Sequence, residues 1–184
     1  MPKYYRPKDH FGMVSKAEIF KFVSKAKDPD MQTCLSIVWL TGARISEVVA
    51  LTRQDIEEDV DGFVQFTIAA KKGGKTGRPT FTRKDPFIVE IMNYIKDKKP
   101  EERILRLKNK RSYQYKLHDL NGIIYPKRKT KWLTFHYLRH SRITYLARMG
   151  AKPIEIKDWT GHRSAAFEDY FSQQRVRRFA GKIK

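Results

Sequence analysis

The 184-residue chain reads as a mainly α-helical domain with one small antiparallel β-sheet, an α+β fold. Three patterns lead there. Apolar residues recur at helical spacing along most of the chain. β-branched and aromatic residues concentrate only between residues 60 and 83. Proline, glycine and capping residues punctuate the boundaries between these stretches. At this length one domain is the default, and the apolar fraction of 40% is enough to bury a core without disulfide or metal support.

Residues 1–12 carry Pro2 and Pro7 without periodicity and read as an N-terminal arm, with the single domain spanning residues 13–184. Ser15 and Glu18 form a capping box that opens the first helix, whose stripe is Ile19, Phe20, Val23 and Ala26. Asp28-Pro29 ends it and starts a second helix over residues 30–41, stopped by Gly42. A short third helix is expected over residues 45–51. Residues 63–68 read as a strand and residues 79–82 as its returning partner, joined by a basic, glycine-rich tip at residues 71–78. Pro86 suits the first position of the next helix, with Phe87, Ile88, Ile91, Met92 and Ile95 on its inner side. Between residues 96 and 116 nine cations face three acids, and a helical piece is assigned to residues 112–120. Further helices are expected over residues 134–149, stopped by Gly150, over residues 153–159, stopped by Gly161, and over residues 165–179.

Composition narrows the partner. Lys and Arg number 39 against 20 Asp and Glu, a net charge of 39 − 20 = +19. Such a surplus points to a polyanion, because neutralising each phosphate releases condensed counterions. Mean hydropathy is −0.64, and no apolar run approaches the roughly 18 residues of a membrane span, so no membrane partner is expected. Cys34 is the only cysteine, which excludes an internal disulfide and a cysteine-held zinc, and favours a buried thiol in a reducing, cytoplasmic setting.

Five groups of residues carry chemistry. Arg44 follows a helix-ending glycine in Thr41-Gly42-Ala43-Arg44-Ile45-Ser46-Glu47, and arginine grips phosphate bidentately; the same Arg is equally half of a surface ion pair with Glu47. Lys71, Lys72 and Lys75 lie on the hairpin tip, where they are otherwise solvated charges. His136, Arg139 and His140 share one face of the helix over residues 134–149, with Leu138, Tyr145, Leu146 and Met149 on the core side. Taken alone, that trio is a solvated helix face. Gly161 throws His162 into a turn, and Tyr170 follows on a new helix, where a tyrosine is by default a core-edge residue.

In this order the groups reinforce one another, and the chain resembles the catalytic domain of the tyrosine recombinase (integrase) family over about residues 13–175. The matching stretches are Thr41-Gly42-Ala43-Arg44-Ile45-Ser46-Glu47-Val48-Val49-Ala50-Leu51, Lys72-Gly73-Gly74-Lys75, His136-Tyr137-Leu138-Arg139-His140 and Gly161-His162, closed by Tyr170. The resemblance implies that Arg44 and Arg139 clamp the scissile phosphate and that His136 and His162 hydrogen-bond it. It makes Tyr170 the nucleophile of a 3′-phosphotyrosine intermediate and Lys72 the proton donor to the leaving 5′-oxygen, with Lys75 as the alternative. Glu47 matches an acidic position that supports Arg44.

What the resemblance implies for the whole is a site-specific recombinase that cuts and rejoins double-stranded DNA at attachment-type sites, for integration or excision of a mobile element. No cofactor, metal or ATP is needed, because the phosphotyrosine link conserves the energy of the broken bond. A homo-oligomer on DNA, a tetrameric synapse, is expected. Lys71, Arg78, Lys127, Arg128, Lys129, Lys131 and Arg163 are candidates for contacting the DNA backbone. The family's separate N-terminal core-binding domain has no counterpart in this sequence, which fits an excised catalytic domain or a naturally minimal enzyme. Two rivals remain at this point: DNA relaxation like that of a type IB topoisomerase, and a non-catalytic DNA-binding protein on the same fold.

Overall fold

In this computed structural model, residues 14–69, 76–126 and 132–161 are described. They form seven α-helices and three strands: α1 (Lys16–Lys25), α2 (Pro29–Thr41), α3 (Ile45–Val48), β1 (Ile56–Glu58), β2 (Phe63–Phe66), β3 (Thr80–Thr82), α4 (Pro86–Ile95), α5 (Lys110–Ile124), α6 (Phe135–Arg148) and α7 (Pro153–Thr160). The fold is the mainly helical α+β arrangement expected from the sequence. The arm at residues 1–12 and the helix expected over residues 165–179 lie outside the described residues.

Local chemistry fixes the helix ends. The Ser15 hydroxyl accepts from the Glu18 N–H, and Asp28, Asp85, Asn109 and Thr134 cap α2, α4, α5 and α6 in the same way. α2 occupies the centre and packs against α1, α4 and α6. Its apolar residues Cys34, Leu35, Ile37 and Val38 are wholly buried, which is why that helix shows no polar face. The sheet has the order β1-β2-β3, antiparallel throughout, with Ile56 opposite Phe66 and Val64 opposite Phe81. Val64, Phe66 and Phe81 turn inward.

Several boundaries differ from expectation. α3 ends at Val48 rather than near residue 51, since the Ala50 and Leu51 N–H groups turn back on Glu47 and Val48. β1 carries only one buried residue, Ile56, so its pattern is too short to read in sequence. α5 is longer than the predicted piece, because its amphipathic run begins from the Asn109 cap. Met149 is exposed rather than core-facing, since it lies past the last turn of α6.

The basic stretch at residues 96–116 is partly neutralised from within. Arg106 and Lys116 both pair with Asp28, and Lys98 pairs with Glu102 at 2.7 Å. Beneath them the fully buried Asp30 accepts from the hydroxyls of Tyr94 (2.8 Å) and Tyr113 (2.5 Å) and from the Arg106 N–H (2.9 Å). A buried carboxylate is tolerable only with such saturation. This network pins residues 103–107 and the start of α5 onto α2.

Candidate active site

The site begins where α2 stops. Gly42 takes the left-handed conformation (φ 66°) that ends the helix, and its N–H closes on the Val38 carbonyl. The Ala43 N–H then donates to the Thr41 hydroxyl at 3.1 Å, fixing the turn before Arg44 opens α3. Glu47 folds its carboxylate back onto that helix start. Oε2 accepts from the Arg44 backbone N–H at 2.8 Å and Oε1 from Arg44 Nη1 at 2.9 Å. Glu47 is 3% exposed, whereas the Arg44 side chain is 47% exposed, so a buried carboxylate holds an arginine that stays partly open to solvent.

α6 brings the second arginine to the same carboxylate. Arg139 Nη1 donates to the Gly42 carbonyl and lies 4.0 Å from Glu47 Oε2. The helical reading placed Arg139 on a face turned from the core, but it is only 5% exposed. Phe135 and Ile143, one turn to either side, are buried as well, so the buried sector of α6 is wider than its aliphatic residues alone suggest. Burial, together with the Arg44 charge, pulls the Arg139 guanidinium down to about 10 against the opposing pull of Glu47, and it stays cationic at neutral pH.

Arg139 Nη2 is buried and finds no acceptor among the described residues. An unpaired buried donor costs about 1–3 kcal/mol, and such groups gather where a ligand supplies the missing oxygen. Two guanidinium groups around one carboxylate leave a net positive charge, an arrangement able to receive an oxyanion.

His136 stands exposed on the first turn of α6, with its ring 6.3 Å from that of His140. Burial and the neighbouring His136 push His140 down to about 4, so it is neutral at pH 7. Lys71, Lys72, Lys75, Lys127, Arg128, Lys129, Lys131, His162, Arg163 and Tyr170 lie outside the described residues. Arg78 is exposed, and its backbone N–H donates to the Asp158 carbonyl at 3.3 Å.

One residue of this neighbourhood escaped the sequence reading. Arg142 is buried on α6 with its guanidinium over the rings of Phe81, Tyr145 and Trp159. Its position three residues after Arg139, hence on the same face, was the available clue. Among the described residues no group of three or more His, Cys, Asp or Glu side chains could hold a metal ion, and no helix is long and apolar enough to cross a membrane.

Comparison with known proteins places this architecture. A crystal structure of XerA recombinase superposes with a TM-score of 0.70 at 20% identity, covering 98% of this chain and 67% of that one. The catalytic domain of bacteriophage HP1 integrase gives 0.60 at 18% identity, covering 90% and 88%. The Tn1549 transposon integrase, in complex with circular intermediate DNA, gives 0.66 at 18% identity, covering 94% and 67%. The fold is that of tyrosine recombinase catalytic domains. In sequence the chain is 27% identical over 160 residues to the tyrosine recombinase XerA of Pyrococcus furiosus, covering 85% of this chain and 54% of the relative, so it spans about half that relative's length. The profile of the phage integrase family matches residues 15–174, and the chain belongs to that family.

Proposed function

We propose that the chain is the catalytic unit of a site-specific DNA recombinase, acting on double-stranded DNA in the integration or excision of a mobile element. The observation that carries this is the clamp in which buried Glu47 holds Arg44 and Arg139 together while Arg139 keeps an unpaired donor. In the proposed reaction the Tyr170 oxygen attacks phosphorus, the P–O5′ bond breaks, and a 3′-phosphotyrosine and a free 5′-hydroxyl result. Charge developing on the non-bridging oxygens is met by the two guanidinium groups, which do not have to reorganise as the reaction proceeds. His136 and His162 hydrogen-bond the same phosphate, and His136 assists removal of the tyrosine proton. Lys72 protonates the leaving 5′-oxygen, with Lys75 as the alternative donor. Rejoining reverses these steps with another strand's 5′-hydroxyl and needs no ATP, because the phosphotyrosine conserves the bond energy; the arginines fill the electrophilic role without a metal. Pairing of two duplexes calls for several copies of the chain on DNA, most simply four.

The test is a nicked substrate that traps the covalent intermediate, run in excess chelator. Wild type is expected to form an adduct and Tyr170→Phe none; an adduct with Tyr170→Phe assigns the nucleophile elsewhere. Lys72→Ala should be slow on the ordinary substrate and recover with a 5′-bridging phosphorothiolate, whose sulfur leaves without protonation. Recovery confined to Lys75→Ala would move the proton donor to Lys75.

A further inference from the structure

Arg142 is only 9% exposed, and the acid whose charge acts on it among the described residues, Asp85, forms its ion pair with Lys16. Instead its guanidinium carbon lies 5.9 Å from the ring centre of Phe81 on β3, 5.3 Å from that of Tyr145 and 5.6 Å from that of Trp159 on α7. Phe81 and Trp159 also meet edge to face at 5.1 Å. The stem of the same side chain lies against Gly42: a Cβ on that glycine would stand 3.4 Å from Arg142 Cγ and 3.4 Å from the Thr160 methyl. One cation therefore touches β3, α7 and the turn that carries Arg44.

The neighbouring backbone is packed as closely. Ile68 and Gly77 exchange both backbone hydrogen bonds at the base of the β2–β3 hairpin, and a Cβ on Gly77 would lie 2.7 Å from the Trp159 carbonyl oxygen and 3.1 Å from the Gly161 nitrogen. That contact leaves no room for any residue other than glycine. Burial lowers the Arg142 guanidinium to about 10, which leaves it cationic at neutral pH. A cation shared by three ring faces resists sliding of any one of them, which an aliphatic side chain of equal volume does not.

We propose that Arg142 is a positioning residue that locks the base of the β2–β3 hairpin and the end of α7 to the Gly42–Arg44 turn, so that these segments meet the phosphate as one rigid unit. The catalytic consequence rests on the assignment of Arg44 and Arg139 to the reacting phosphate and of Lys72, on the same hairpin, to the leaving oxygen. The mechanical coupling itself does not.

Two measurements separate these. Amide hydrogen exchange of Arg142→Met should accelerate at least about ten-fold in residues 76–82 and 158–161 together, with α1 and α4 unchanged. Unchanged exchange, or a uniform rise across the protein, overturns the coupling. Gly77→Ala, which disturbs the same contact from the hairpin side, should loosen the same two segments. In the adduct assay both variants should cleave about 100-fold more slowly with DNA affinity unchanged, as a misplacement near 1 Å predicts. Arg142→Lys, which keeps the charge but not the planar face, should fall between wild type and Arg142→Met. The deficit should shrink on a 5′-bridging phosphorothiolate, whereas a merely destabilised protein loses equally on both substrates. Wild-type cleavage by Arg142→Met overturns the catalytic consequence. Absence of any wild-type adduct overturns the functional reading, and the exchange result still decides the coupling.

Discussion

Glu47 is the residue that lets two arginines share one small volume. Its carboxylate accepts two hydrogen bonds from Arg44 and lies within 4.0 Å of Arg139, so the repulsion between the guanidinium groups is offset locally. Glu47→Gln keeps the shape and removes the charge. The expected outcome is an adduct-formation rate about 10–100-fold lower with nearly unchanged DNA affinity, measured by single-turnover kinetics. A wild-type rate would mean that the carboxylate does not support the clamp. Arg139→Lys makes a sharper demand. An ammonium has three donors but lacks the planar fork that sets one donor on the Gly42 carbonyl and another toward a phosphate in fixed directions, so a loss of about 100–1,000-fold in the same assay is expected.

At the scale of elements, α2 is the hub, and its polar residues matter as much as its apolar ones. Tyr113 is fully buried, donates to Asp30 and accepts from the Leu107 N–H at 3.1 Å. Tyr113→Phe removes the donor to Asp30 Oδ2 and the acceptor of the Leu107 N–H, while Tyr94 and the Arg106 N–H stay on Oδ1, and should cost about 1–3 kcal/mol in urea denaturation. The cap of the same helix gives a pH signature. Partial burial opposes ionisation of Asp28, but hydrogen bonds from Lys116 and the Asp30 N–H, with the Arg106 charge, hold its carboxyl below the usual value of 3.8. A depressed folded-state value means that the contribution is fully present above the unfolded value and is lost as pH falls through the folded one. The urea midpoint should therefore drop below about pH 4, and Asp28→Asn should flatten that part of the profile. Most of this layer was legible in the sequence: the caps at Ser15, Asp28 and Asp85, the stops at Gly42 and Gly161, and the hairpin all occur where residue type dictates them. The Arg44 and Arg139 pairing was legible only as motif order. What was not legible depends on contacts far apart in sequence. Asp30 stands in the sequence only as the first residue of the second helix, and only the fold brings Tyr94 and Tyr113 to it. Arg142 takes no part in the sequence reading, because only the packing of β3 and α7 brings the rings of Phe81 and Trp159 to it. The sequence turns the face of Arg139 away from the core, yet Arg139 is buried, because residue type alone does not show which polar side chains the fold covers.

Across the whole molecule, the +19 surplus divides into parts with different work. In the proposed reaction Arg44, Arg139 and Lys72 serve one phosphate. Lys98, Arg106 and Lys116 are tied to Glu102 and Asp28 within the fold, which makes three of the nine cations at residues 96–116 part of the scaffold. The remaining cations outnumber any one set of contacts, so affinity for duplex DNA should be strongly salt-dependent. A log–log slope steeper than about −4.5, equivalent to some five phosphates neutralised, is expected from titrations across salt concentrations. A slope near zero would contradict the electrostatic account. The reaction itself rests on Tyr170, and the direct measurement is peptide mapping of the protein–DNA adduct trapped on a nicked attachment-site duplex in excess chelator. The expected result is the nucleotide on the peptide containing Tyr170, with adduct formation slowed about 100–1,000-fold in Arg139→Lys. A trapped adduct on any other residue, or none from the wild-type protein on a cognate site, would contradict it.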